Sequence, residues 1–132
     1  MRLLIVEDDL DGREILAELF ERQGFYVVAV PTCEAALVAL REESFDVVLT
    51  DEDLEGASGS AMLRAASREG LLSNVGALMY TAQPEWLEVP AGVRVLHKPL
   101  ATTSLVNEVN ASVPLAHDAS QERAPASQSP TT

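Results

Sequence analysis

Five short apolar runs leave this chain few folds to choose from. They cover residues 3–6, 26–30, 47–49, 77–80 and 93–96. The first four are unbroken, and the fifth is interrupted only by Arg94. Each therefore predicts a strand buried on both faces, as in a parallel sheet. Parallel neighbours need a crossover, and the segments between the runs have helical spacing. Ile15, Leu16, Leu19 and Phe20 form one apolar stripe. Gly24 is placed to end that helix, and Thr32 to cap the next, whose Ala36, Leu37 and Leu40 face inward. Segments 61–68 and 104–113 supply two more helices. Right-handed crossovers between such strands build an α/β, doubly wound five-stranded parallel sheet.

Length and composition narrow the reading further. A chain of 132 residues is one ordinary domain. The crossover between the fourth and fifth strands holds Pro84 and Pro90, and a proline inside a helix costs about 3 kcal/mol. This predicts a shortened fourth helix, a turn or two around 85–88, with Trp86 as its apolar anchor. The composition turns to Pro, Ala, Ser, Gln and Thr after Val113. The expected division is a folded domain over 1–113 and a disordered or extended tail over 114–132. Nine basic against 21 acidic residues give a formal charge of −12. That balance opposes direct binding to nucleic acid, whose affinity comes from basic side chains. No apolar run is long enough for membrane insertion, and the N-terminal run passes straight into acids, unlike a signal peptide. Cys33 is the only cysteine, which excludes an internal disulfide and a cysteine-based zinc site. The expected location is cytoplasmic.

In an open parallel sheet, ligands bind beyond the carboxyl ends of the strands. Glu7-Asp8-Asp9 follows the first strand and Asp51-Glu52-Asp53 ends the third. Thr81 ends the fourth, and His97-Lys98-Pro99 the fifth. In the flavodoxin-like order 2-1-3-4-5, strands one and three are neighbours, so their acids converge. Two like charges about 4 Å apart cost about 4 kcal/mol at an effective dielectric near 20. Such a cluster calls for a hard divalent cation, and Mg²⁺ suits oxygen ligands with room for water. Lys98, the only lysine in the chain, adds a second positive charge, and Thr81 a hydroxyl donor. Together these groups suit phosphoryl transfer. Asp8 or Asp9 could instead cap the first helix, and Asp51 could be a turn residue. His97 should point away from Lys98, and Cys33 should pack as a small hydrophobe. The second histidine, His117, falls in the tail.

Residues 2 to about 113 resemble the receiver domain of two-component response regulators. The resemblance rests on Leu3-Leu4-Ile5-Val6-Glu7-Asp8-Asp9, Asp46-Val47-Val48-Leu49-Thr50-Asp51, Met79-Tyr80-Thr81-Ala82 and Leu96-His97-Lys98-Pro99-Leu100, with Gly59 before the third helix. It implies that Asp51 accepts a phosphoryl group from a histidine kinase or histidine phosphotransfer protein. It further implies Mg²⁺ ligation by Glu7, Asp8, Asp51 and the main-chain carbonyl of Asp53. Lys98 would contact the Asp51 carboxylate or the phosphoryl oxygens, Thr81 would hydrogen-bond the phosphoryl group, and Asp9 would turn toward the first helix. Asp53 and Gln83 would tune its lifetime. Three departures stand out. Val95 replaces the family's aromatic three residues before the lysine, Glu55 replaces a proline four after the phosphoacceptor, and the fourth helix is cut short. They point to a non-standard output surface.

The chain reads as a stand-alone receiver, which signals by altered affinity for a downstream protein partner of unknown identity. One alternative is a non-phosphorylated pseudo-receiver acting as an interaction module. Another is a haloacid-dehalogenase-type phosphatase, suggested by the Asp-x-Asp form of Asp51-Glu52-Asp53. The acids lie before Asp51, with no acidic pair after Lys98, which disfavours the phosphatase.

Overall fold

The computed structural model describes residues 1–82 and 88–114. The strands are β1 (Arg2–Val6), β2 (Tyr26–Val30), β3 (Val47–Asp51), β4 (Gly76–Thr81) and β5 (Arg94–His97). The helices are α1 (Leu10–Arg22), α2 (Cys33–Glu42), α3 (Gly59–Arg68) and α4 (Thr102–Ala111). All strand pairs are parallel, in the order β2-β1-β3-β4-β5. The expected turn of helix at 85–88, with Trp86, falls largely outside the described residues, as do Gln83, His117 and all but the first residue of the tail.

Alternation along the strands divides the core into two layers. Leu4, Val6, Val48, Ala77 and Met79 pack against α2 and α3 through Ala36, Leu40, Met62, Leu63 and Ala66. Leu3, Ile5, Val47, Leu49 and Leu78 pack against α1 and α4 through Phe20, Leu105, Val106 and Val109. Because helices cover both faces, both parities of each central strand are apolar, which produces the unbroken runs.

Local chemistry sets the helix ends. Asp9 is the N-cap of α1, and its Oδ2 accepts the Gly12 N–H at 2.8 Å. Thr32 Oγ1 accepts the Ala35 N–H at 3.1 Å and caps α2. Gly24 takes φ +95° just past α1, a conformation that glycine adopts without penalty. Three placements differ from expectation, the first being α3, which begins at Gly59 rather than at 61. Segment 104–113 starts and ends earlier, as Thr102–Ala111. Ile15 does not join the apolar stripe and is 65% exposed. Leu16, Leu19 and Phe20 already fill the strip that faces the sheet. Ile15 lies about 140° around the helix from Phe20, beyond the sheet's reach.

Candidate functional site

The carboxyl ends of β1, β3, β4 and β5 meet along one rim. The pairing of β1 with β3 sets Val6 beside Thr50, so Glu7 and Asp51 emerge side by side. In the next pairings Asp51 stands beside Tyr80, and Thr81 beside His97. Lys98, one residue past β5, reaches back across β4. Its Nζ donates to Asp51 Oδ2 at 3.1 Å, and its N–H donates to the Thr81 carbonyl at 2.8 Å. The Asp51 side chain is only 11% exposed, against 34% for Lys98. This pair is therefore shielded from the screening that weakens surface ion pairs.

The neighbouring acids feel one another. Burial is the largest influence raising the Glu7 carboxyl above its ordinary value. Nearby Asp51 and Asp8 push in the same direction, while the Asp9 N–H and Lys98 oppose them. Asp8 Oδ2 accepts the Glu55 N–H at 3.0 Å, which ties the end of β1 to the loop after β3. In that loop the Asp53 N–H reaches Asp51 Oδ1 at 3.3 Å. Asp8, Asp9, Asp53, Leu54 and Glu55 line an open acidic cleft beside Asp51.

Among the described residues, no three His, Cys, Asp or Glu side chains form a closed metal cage. An ion here would take one or two carboxylates with main-chain oxygen and water, the usual manner for Mg²⁺. The mutual repulsion of Glu7, Asp8 and Asp51 fits such a charge.

The loop between β3 and α3 is held from three sides. The Glu52 carboxylate accepts the Ser60 N–H at 2.8 Å and the Ser60 hydroxyl at 3.0 Å. Ser58 Oγ caps α3 by accepting the Ala61 N–H at 3.1 Å. Gly59 is required by contact, since a Cβ there would lie 2.1 Å from the Asp51 carbonyl oxygen.

His97 and Cys33 take no part in the acidic cluster, as the sequence predicts. His97 Nε2 lies 3.0 Å from the Ala82 carbonyl oxygen, with its ring exposed. Cys33 is buried, its Sγ 3.5 Å from the Ser58 carbonyl oxygen, and burial with the nearby Glu52 charge pushes its thiol upward. Three contributors escaped the sequence reading. Arg13 donates from Nη1 to the Glu7 carbonyl at 3.0 Å. Its signal is a basic residue one helical turn past the acids. Glu52 clasps Ser60, and its signal is an acid just before a helix start. Tyr80 lies beneath Lys98, and only the register of β4 and β5 reveals it.

A parallel 2-1-3-4-5 sheet with this rim is the CheY-like, flavodoxin-like architecture. The chain belongs to the response regulator receiver domain family, whose profile matches residues 3–110. That membership sets aside the dehalogenase-type phosphatase. The response regulator receiver protein CpdR of Brucella abortus is 30% identical over 112 residues, covering 82% of this chain and 92% of CpdR. The phosphate regulon transcriptional regulatory protein PhoB of Klebsiella pneumoniae is 29% identical over 115 residues, covering 83% of this chain. The chain spans about half the length of PhoB. The response regulator TrrA of Thermotoga maritima, solved in complex with Mg²⁺-BeF, superposes with a TM-score of 0.72 at 19% identity. That likeness covers 85% of this chain and 98% of TrrA. Among the described residues, no helix is long and apolar enough to cross a membrane.

Proposed function

We propose that this receiver accepts a phosphoryl group on Asp51 from a phosphohistidine donor and signals through changed affinity for a protein partner. The observation that carries the reading is the half-shielded contact between Lys98 Nζ and Asp51 Oδ2 beside Glu7 and Asp8. An Asp51 oxygen attacks phosphorus, the P–N bond breaks, and its electron pair returns to the donor imidazole. The product is an aspartyl phosphate and a free histidine. Lys98 orients the nucleophile and faces the charge that gathers on the phosphoryl oxygens. Thr81, buried at the end of β4, is the residue we assign to donate its hydroxyl to those oxygens.

Glu7, Asp8, Asp51 and the Asp53 carbonyl are the groups we assign to Mg²⁺. When bound, the cation neutralises the phosphoryl oxygens. The proposed donor is a histidine kinase or histidine phosphotransfer protein. The domain over 1–113 acts on a downstream protein in the cytoplasm.

Incubation with acetyl phosphate and Mg²⁺, read by intact mass, tests this. We expect the gain of one phosphoryl group, absent in Asp51→Asn. No labelling of the wild type would favour the pseudo-receiver, a module that keeps the fold without the chemistry.

A further inference from the structure

The aromatic ring that meets Lys98 comes from β4. Val95 packs against the α2–α3 layer and has no polar atom to offer. Tyr80 packs in the other layer, with Leu96 and Leu100. The Lys98 ammonium stands 5.1 Å from the centroid of the Tyr80 ring, within cation–π range. The same ammonium is 3.1 Å from Asp51 Oδ2. The Tyr80 hydroxyl accepts the Leu100 N–H at 3.1 Å and lies 3.5 Å from the Leu100 carbonyl oxygen. One cation thus bridges a carboxylate and an aromatic face, and the phenol of that ring anchors the segment leading into α4. The N-cap of α4, Ala101, makes no side-chain cap bond. The phenol therefore ties down the residue immediately before an uncapped helix start.

Resting on the reading of Asp51 as phosphoacceptor, we infer that Tyr80 is a positioning residue that couples the site to α4. Its ring holds the Lys98 ammonium beside Asp51, and its hydroxyl links that placement to Leu100. A phosphoryl group adds negative charge and acceptor oxygens at Asp51. Lys98 follows that charge, and its contact with the Tyr80 ring changes. Because the hydroxyl is committed to Leu100, the change reaches the entry of α4 through one side chain. Such coupling requires the segment 98–101 to take two arrangements, which the amide resonances read out.

The ring and the hydroxyl separate by substitution. Tyr80→Phe keeps the ring and removes the bond to Leu100; Tyr80→Leu removes both. Two quantities are read in each protein. One is the initial rate of labelling by acetyl phosphate and Mg²⁺. The other is the shift of the amide resonances of residues 100–105 when Mg²⁺ and beryllofluoride are added.

Tyr80→Phe should label within about twofold of wild type yet lose the Leu100 amide response, since only a hydrogen bond is gone. Tyr80→Leu should label about threefold more slowly and also lose the response, as the cation–π contact is gone too. A purely structural tyrosine would not divide the two readouts this way. Native amide spectra away from the segment report folding, and Tyr80→Phe carries the test if Tyr80→Leu unfolds. A Leu100 response retained in Tyr80→Phe overturns the coupling. Wild-type labelling by Tyr80→Leu overturns the positioning of Lys98. If the wild type neither labels nor responds to beryllofluoride, the phosphoacceptor reading fails, and this inference with it.

Discussion

Gly59 shows how tightly one residue can bind helix placement to site geometry. The start of α3 sits against the Asp51 carbonyl, and only the absence of a side chain permits that approach. Gly59→Ala must push α3 away or twist the end of β3. Overpacking of this kind costs typically 1–3 kcal/mol, so a loss of about 2 kcal/mol is expected in urea unfolding. The same variant should label slowly, because the displaced group is the main chain of Asp51, the proposed phosphoacceptor. Cys33 illustrates the opposite case, a reactive residue type made inert by its surroundings. Burial and the Glu52 charge both raise its thiol. Iodoacetamide should therefore modify it far more slowly in the native protein than in urea. Equal rates would mean that the pocket around Cys33 opens freely.

Helix ends and inter-helix clasps decide how the elements hold together. Arg41 near the end of α2 makes two hydrogen bonds to Glu69, the C-cap of α3, at 2.8 and 2.7 Å. The Arg41 guanidinium holds the Glu69 carboxyl below its ordinary value. A carboxyl lowered by folding adds stability above its unfolded value and loses it as pH falls through the folded one. Glu69→Gln should therefore lower the melting temperature slightly at neutral pH. The difference from wild type should vanish once the solution is acidic enough to protonate Glu69. A difference that persists at low pH would assign the effect to packing instead. At α4 the missing element is a cap. Ala101 already has extended backbone angles, φ −62° and ψ 146°, so it lacks only a side-chain acceptor. Ala101→Ser should stabilise the protein by about 1 kcal/mol, read as a raised urea midpoint.

At the scale of the molecule, net charge and the acidic rim act together. A formal charge of −12 repels itself in the compact state. Added monovalent salt should raise the melting temperature by screening that repulsion. Mg²⁺ at equal ionic strength should raise it further, since a ligand that binds only the native state stabilises by mass action. Asp8→Asn should abolish that excess and leave the response to monovalent salt intact. A Mg²⁺ effect unchanged in Asp8→Asn would remove Asp8 from the proposed ligand set.

The strand runs, the Thr32 cap, a cap of α1 at Asp8 or Asp9, and the acids, Thr81 and Lys98 at the strand ends were legible in the chain itself. Each is a local matter. Burial on both faces writes an unbroken apolar run, and a cap needs its oxygen only three residues from its partner. The exposure of Ile15 was not legible, because helical spacing gives a stripe's direction but not the width of the surface that will cover it. Nor were the Glu52 clasp on Ser60, the close approach of Gly59 to Asp51, or the place of Tyr80 beneath Lys98. Those contacts depend on register between strands and on where a loop closes. Such distances are set by packing across the sheet and leave no periodic trace along the chain.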